Sequence, residues 1–311
     1  MERVGVTKMH RPVVLVRYAE IGVKLGRTRQ FFEESLARSI RCWLAYAGLI
    51  RPIRITPGRI IIDVEELEEA FEAAKLAARS FGVHSAAPAW SIPNDLNTIL
   101  EMIPRLFRDE LVKASTFAVR ARRVESYPVK SRDVERLLGA RILEAIPSLR
   151  VDLEKPDVIV RLEIRAKRAY AYLDSWLVEG PGGLPYGVEG TAVIPVLEGS
   201  LDELLAAWLV ARRGARLYFV VSGERARDVV KRFVNAWVPC GDAIVEESED
   251  PWRLAAKLAA RGAALLVYPH VISVDVDSER VWSVSPLVGA PEQIVSKAVK
   301  MLTSSLHFDD F

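Results

Sequence analysis

Apolar residues in this chain recur at two periods that alternate along its length, and the alternation predicts a succession of strands and helices. Val13 to Arg17 is a compact apolar run and predicts a strand. Arg27 to Tyr46 predicts a helix, since Phe31, Phe32, Leu36, Ile40, Trp43 and Leu44 fall on one face at helical spacing. Ile53 to Thr56 and Arg59 to Val64 are β-rich runs separated by Pro57-Gly58, a hairpin turn. A helix from Leu67 to Arg79 then stops at Phe81-Gly82, and Val83 to Ile92 is extended. The order βαββαβ is that of a ferredoxin-like α+β domain, assigned to residues 1–92.

A second unit, residues 93–185, begins at Pro93-Asn94-Asp95, where Asn94 or Asp95 is expected to cap a helix running to about Val112. Thr116 to Arg122 alternates, with Phe117 and Val119 on one side and Arg120 and Arg122 on the other, so one side is buried and the other basic. Ser131 is expected to cap a helix to Ile146, and Val158 to Ile164 and Ala169 to Leu173 predict strands around the basic turn Arg165 to Arg168. The segment from Glu179 to Pro185 holds two prolines and three glycines, continues neither strand nor helix, and is read as a hinge.

The third unit, residues 186–311, opens with Val193, Ile194, Val196 and Leu197 as a strand, Glu198-Gly199-Ser200 as a turn, and Leu204, Leu205, Trp208 and Leu209 at helical spacing. Strands and helices then alternate through Leu217–Val221, Arg225–Ala236, Ala243–Glu246, Pro251–Arg261 and Ala264–Tyr268 to a last helix, Pro291–Leu302. This is a Rossmann-like parallel sheet flanked by helices. Two runs, His270 to Val276 and Arg280 to Val284, are expected to extend its edge. Trp43 and Trp208, on apolar helix faces, are assigned to the core rather than to base stacking.

Half of the 311 residues are apolar and 27% charged, so the chain can bury sizeable cores. No apolar run approaches a membrane span, and the start, with Glu2, Arg3, Lys8 and Arg11, lacks a secretory signal, so a cytoplasmic location without membrane contact is expected. Cys42 and Cys240 are too few and too distant in sequence for a disulfide framework, and Cys240 is read as an inert thiol. His10, His84, His270 and His307 lack ligand spacing, so no metal site is expected. Glutamine and asparagine are scarce beside Arg, Glu and Ala, the composition of a heat-adapted protein.

The net charge of +2 conceals a split, with residues 1–185 near +6 and residues 186–311 near −4. A polyanion is therefore expected to prefer the first half. Three basic groups are candidates for it: Arg120, Arg122 and Arg123 with Lys130 and Arg132; Lys24, Arg27 and Arg29; and Arg165, Lys167 and Arg168. The strand, turn and helix around Glu198 to Glu203 has the form that binds phosphate at a helix amino terminus. A carboxylate at that mouth opposes it, since like charges about 4 Å apart repel by roughly 4 kcal/mol at an effective dielectric near 20.

Several stretches, taken together and in this order, resemble the tRNA 4-thiouridine synthase family, ThiI. They are Val16-Arg-Tyr-Ala-Glu-Ile-Gly-Val-Lys24, Arg29-Gln-Phe-Phe-Glu33, Phe117-Ala-Val-Arg-Ala-Arg-Arg123, Lys155-Pro-Asp-Val158 and Gly180-Pro-Gly-Gly-Leu-Pro185. Ser285-Pro-Leu-Val-Gly289 is similar to a late segment of the family's adenylating domain. The resemblance implies a ferredoxin-like domain, a THUMP RNA-binding domain of α/β type, and a Rossmann-like adenylating domain with a PP-loop, in that order.

The family's Ser-Gly-Gly-x-Asp-Ser loop is here Glu198-Gly-Ser-Leu-Asp-Glu203, so Gly199 and Asp202 match while Glu198, Ser200 and Glu203 depart from it. Family catalysis also passes sulfur through cysteine, and the third unit offers Cys240 alone. Asp202 and Cys240 are thus vestigial catalytic candidates. The expectation is a tRNA-binding protein whose THUMP domain grips the acceptor region, linked to 4-thiouridine modification, with no cofactor and with the ATP loop lost. An active tRNA sulfurtransferase using ATP and Mg through a divergent loop, and an assembly or docking protein, are the alternatives. A separate modification enzyme as partner, and a homodimer, follow from the resemblance only.

Overall fold

The computed structural model describes residues 10–124, 127–262 and 264–306. The first unit runs β1 (Arg11–Arg17), α1 (Gly26–Tyr46), β2 (Ile53–Thr56), β3 (Arg59–Asp63), α2 (Leu67–Ala77) and β4 (Ser85–Pro93), the βαββαβ order that the periodicity predicts. The buried stripe of α1 holds Phe32, Leu36, Ile40, Trp43 and Leu44, whereas Phe31 lies off it and is half exposed.

The second unit follows as α3 (Leu96–Leu106), α4 (Arg108–Leu111), β5 (Thr116–Arg123), α5 (Ser131–Ala145), β6 (Arg150–Val151), β7 (Val158–Ile164), β8 (Arg168–Leu173) and β9 (Val178–Glu179). Asp95 caps α3 by accepting from the Thr98 amide at 2.9 Å, while Asn94 donates to the carbonyls of Arg165 and Ala166. The helix expected to reach Val112 breaks at Phe107 and resumes as the single turn α4. Ser131 is inside α5 rather than its cap, and its hydroxyl accepts from Arg123 at 3.3 Å.

β4 pairs with β1 on one side and with β8 on the other, so both units share one nine-stranded sheet of order β2-β3-β1-β4-β8-β7-β5-β6, with β9 beside the start of β4. Residues paired across a ladder point to the same face. Val14, Val16, Ile60, Ile62 and Ala86 pack with α1 and α2. Ile92, Phe117, Val119, Leu162, Ala169 and Ala171 pack with α3 and α5 on that same face. On the opposite face, Val13, Leu15, Ile61, Ala87, Ala89, Tyr170 and Tyr172 form a thin apolar cluster, to which Trp176 and Leu177 add and, among the described residues, no α-helix does.

The third unit consists of β10 (Glu189–Val196), α6 (Leu201–Arg212), β11 (Ala215–Val221), α7 (Gly223–Trp237), β12 (Ile244–Glu247), α8 (Pro251–Arg261), β13 (Leu265–Leu266), β14 (Ser273–Val276), β15 (Glu279–Trp282) and α9 (Glu292–Leu306). Its parallel sheet has the order β12-β11-β10-β13, which puts the topological switch between β10 and β13. β14 and β15 do not extend it. They pair with each other across a turn in which Asp277 and Ser278 take positive φ, and a single bridge from Val267 to Val284 touches the sheet. The turn closes a local hairpin, so the two runs satisfy one another's backbone groups.

The segment expected to be a hinge, Gly180 to Pro185, is buried throughout. A Cβ on Gly180 would lie 2.4 Å from the Val83 carbonyl oxygen, and one on Gly183, at φ +77, would lie 2.0 Å from that of Arg212. These glycines let two backbones touch, so the segment is a packed seam between the first and third units. Phe81 enters the core of the third unit, with ring centroids 5.5 Å from Trp208 and 5.7 Å from Trp237. Gly183→Ala is predicted to destabilise the protein by about 3 kcal/mol through overpacking and backbone strain. Gly190→Ala, where a Cβ meets nothing within 4 Å, should be near neutral; urea denaturation of both variants checks the contrast.

Candidate nucleic-acid interface

The helix-free face of the long sheet is arginine-rich because of strand register. Arg120 and Arg122 of β5 pair with Arg161 and Glu163 of β7, which pair in turn with Tyr172 and Tyr170 of β8. Tyr170 pairs with Ser91 of β4, and β4 continues the face onto Arg11 and Arg17 of β1. Arg54 and Arg59 complete it on β2 and β3.

Three carboxylates partly offset this charge. Asp63 binds Arg54 at 2.7 Å and Arg11 at 3.3 Å, Glu163 binds Arg59 and Arg165 at 2.6 Å each, and Asp174 binds Arg161. Arg17 has no carboxylate within ion-pair distance among the described residues; its guanidinium lies 5.2 Å from the centre of the Tyr172 ring. Burial first, then the charge of Arg59 and, more weakly, of Arg161 and Arg122, lowers its pKa to about 10 against the pull of Glu163. It is charged at neutral pH and under-neutralised, beside the exposed Arg122. A phosphate placed there gains charge-assisted hydrogen bonds with little carboxylate to displace.

The predicted basic residues divide between this face and other work. Arg120 is half-buried and donates to the Leu153 carbonyl at 2.6 Å. Arg123 points to the opposite face, where it donates to Ser131 and to the Tyr127 carbonyl and pins the entry to α5, with Lys130 and Arg132 exposed beside it. Lys24 lies over the Phe32 ring, Arg27 is exposed, and Arg29 pairs with Glu33 at 2.8 Å. Glu33 also accepts from Tyr18, whose pKa is raised by burial and by that bond.

Arg165 is buried, held by Glu163 and by the Pro57 carbonyl, so it ties the two units together and is unavailable to a ligand. Lys167 is exposed, and Arg168 donates to the hydroxyl and carbonyl of Ser91. Arg11, Arg17, Arg54, Arg59 and Arg161 are the residues of this face that sequence reasoning missed. They are spread over four strands, and only pairing assembles them; the local signal is the alternation Arg161, Glu163 in β7, continued by Arg165 just after it.

In the third unit, β10 delivers the chain into Leu197-Glu198-Gly199-Ser200 and α6 begins at the next residue. Gly199 takes φ +73, and a Cβ there would come within 2.9 Å of Val229. Ser200 caps α6, accepting from the Glu203 amide, and Glu203 completes the capping box. Glu203 is 2% exposed, and its carboxylate accepts from the amides of Leu197 at 2.8 Å, Ser200 at 2.9 Å and Glu198 at 3.4 Å.

The loop thus has the form of an anion nest whose anion belongs to the chain itself. Glu198, expected to be the opposing carboxylate, is exposed together with Asp202, and Glu203 is the one inside. Across the switch point Tyr268 has its pKa raised by burial and by the charges of Glu203 and Glu198. The amides of this loop are thus already engaged by a carboxylate of the chain itself.

Cys240 is not an inert free thiol: it is exposed and disulfide-bonded to Cys42 of α1, with their Cα atoms 6.0 Å apart. The two cysteines are far apart in sequence but adjacent across the seam. Among the described residues no group of His, Cys, Asp and Glu is placed to hold a metal ion; His307 lies outside them, as do Glu2, Arg3 and Lys8. No described helix is long and apolar enough to cross a membrane.

Residues 13–87 match the ThiI ferredoxin-like domain and residues 93–174 the THUMP domain. Relatives include the probable tRNA sulfurtransferase of Brevibacillus brevis, 35% identical over 243 residues that cover 76% of this chain and 59% of the relative. That of Aeropyrum pernix is 39% identical over 211 residues, covering 68% of this chain and 52% of the relative. The chain therefore spans between half and three fifths of the length of these relatives. Among solved structures, PH1313 from Pyrococcus horikoshii superposes with a TM-score of 0.76 at 26% identity, over 94% of this chain and 99% of that one. A 4-thiouridine synthetase solved with RNA and ATP superposes with a TM-score of 0.72 over 96% of this chain and 87% of its own; at 24% identity it shows the shared fold.

Glu203→Ala is predicted to leave the partly buried amides of Leu197 and Ser200 without their acceptor and to cost about 2–3 kcal/mol. Glu198→Ala, at an exposed position, should change stability by less than about 0.5 kcal/mol. Chemical denaturation of the two variants beside the parent measures the difference.

Proposed function

Since this chain belongs, through its ThiI ferredoxin-like and THUMP domains, to the ThiI family of tRNA sulfurtransferases, we propose that it is a tRNA-binding protein of 4-thiouridine modification whose third unit no longer binds ATP. The observation that carries the first part is the helix-free sheet face, where Arg17, Arg59, Arg122 and Arg161 stand together across units 1–92 and 93–185. A-form RNA is met through phosphates and shape rather than base edges, and arginines over a broad sheet suit that mode. The acceptor part of tRNA is the segment this face holds in our reading, while Lys130 and Arg132 are exposed on the other side of the sheet, at the entry to α5.

The second part is supported by Glu203, which satisfies the amides that a pyrophosphate would need. On this reading residues 186–311 are an adenylating-type domain kept for its fold, Asp202 and Cys240 have no catalytic duty, and the thiolation chemistry is supplied by another chain. No cofactor is required. An active sulfurtransferase would need ATP and Mg, and with them displacement of Glu203 from its own nest.

Titration with tRNA is expected to show binding that weakens roughly 100-fold between 50 and 200 mM salt for about four phosphate contacts. Arg17→Ala and Arg122→Ala should each weaken binding and reduce the salt slope by about one. Calorimetric titration with ATP should give no binding heat. Clear ATP binding, with AMP formed in the presence of tRNA and lost in Asp202→Ala, would establish the active sulfurtransferase instead; no binding of either ligand would leave the docking protein.

A further inference from the structure

We propose that Cys42 and Cys240 form a reversible redox latch that closes the seam between the first and third units. The seam has one packed end and one open end. At the packed end Phe81 sits against Trp208 and Trp237, the Leu184 amide donates to the Arg212 carbonyl at 2.9 Å, and Arg212 and Arg213 both bind Glu20.

At the other end α1 and the loop after α7 do not close on each other. An open cavity of about 570 Å³ lies between them, walled by Phe31, Trp43 and Tyr186 and by both cysteines, and backed on the side of the packed end by Phe81 and Trp237. Side chains that face a solvent-filled opening of that size lack the packing partners that hold the packed end. The disulfide is therefore the link that spans the seam where side-chain packing is missing.

Its position also makes it reachable. Cys240 is exposed and Cys42 half-buried, so Cys240 is the half of the bridge more open to a thiolate from solvent. Reduction by a dithiol proceeds through a mixed disulfide on Cys240 with Cys42 leaving as thiolate. The second thiol of the reductant then displaces Cys240, so that one disulfide is gained by the reductant and two thiols by the protein. Oxidation is the reverse, with a small-molecule disulfide as the acceptor of both electrons. In the reduced state the open end is tied only by noncovalent contacts at its far side, and the loop 238–242 separates from α1 about the packed end as pivot.

The full-length protein, as purified and after dithiothreitol without denaturant, is compared by thiol alkylation and amide hydrogen exchange. We expect no alkylation before reduction and two sites after it. Exchange should speed up at least tenfold in loop 238–242 and in the second half of α1, while β4 and β8 are unchanged. Oxidised glutathione should restore the protected pattern. Cys42→Ser and Cys240→Ser should each reproduce the reduced pattern under both conditions. The latch is refuted if the bridge yields to dithiothreitol only in denaturant, if both thiols alkylate in protein equilibrated with oxidised glutathione, or if exchange at the seam is the same in both redox states.

Discussion

Strand β4 is hydrogen-bonded on both edges, to β1 and to β8, and this double pairing is the constraint on which the first two units depend. It removes the edge that a four-stranded ferredoxin-like sheet would otherwise expose. It also aligns the pleats of the two units, so that α1, α2, α3 and α5 stand on one face and the other is left without helices. Arg165 and Arg59 brace the same junction through Glu163, with Arg165 reaching the Pro57 carbonyl as well. A buried carboxylate with two guanidinium partners is stable only when all three are held in register.

The basic face is a consequence of that geometry. In separate sheets Arg17 of β1 and Arg122 of β5 would belong to unrelated surfaces. In the shared sheet they stand close enough for Arg122 to lower the pKa of Arg17. The electrostatics of Arg17 are thus set first by burial and by Arg59 of its own unit, and then across the shared sheet by Glu163, Arg161 and Arg122. Positive charge is concentrated where backbone is rigid, which suits recognition of a phosphate array of fixed spacing.

The third unit obeys a different constraint. Its first loop keeps the glycine and the helix start of an anion nest and satisfies both from within, through Glu203 and the Ser200 cap. An acidic residue in the first turn is favoured by the helix dipole, so the same electrostatics that would bind a phosphate hold this carboxylate in its place. The seam that docks this unit relies on glycines at 180 and 183 and on Phe81, which leaves the first unit to join a foreign core.

Local pattern by itself determined a great deal here. The βαββαβ order, the alternation of Phe117 and Val119 against Arg120 and Arg122, and the parallel third sheet follow from periods of 2 and 3.6, which depend on near neighbours alone. The resemblance to the ThiI family was likewise legible in short motifs. Long-range geometry decided the rest: that β4 joins two sheets into one, that Arg165 is buried in ion pairs while Arg17 stands half-buried on the helix-free face, and that Gly180 to Pro185 is a contact and not a hinge. The same holds for Glu203 filling its own nest and for Cys42 meeting Cys240 across 198 residues. Periodicity records which side of an element is buried but carries no term for which element lies beside it, so every feature built from two distant segments waited on the tertiary structure.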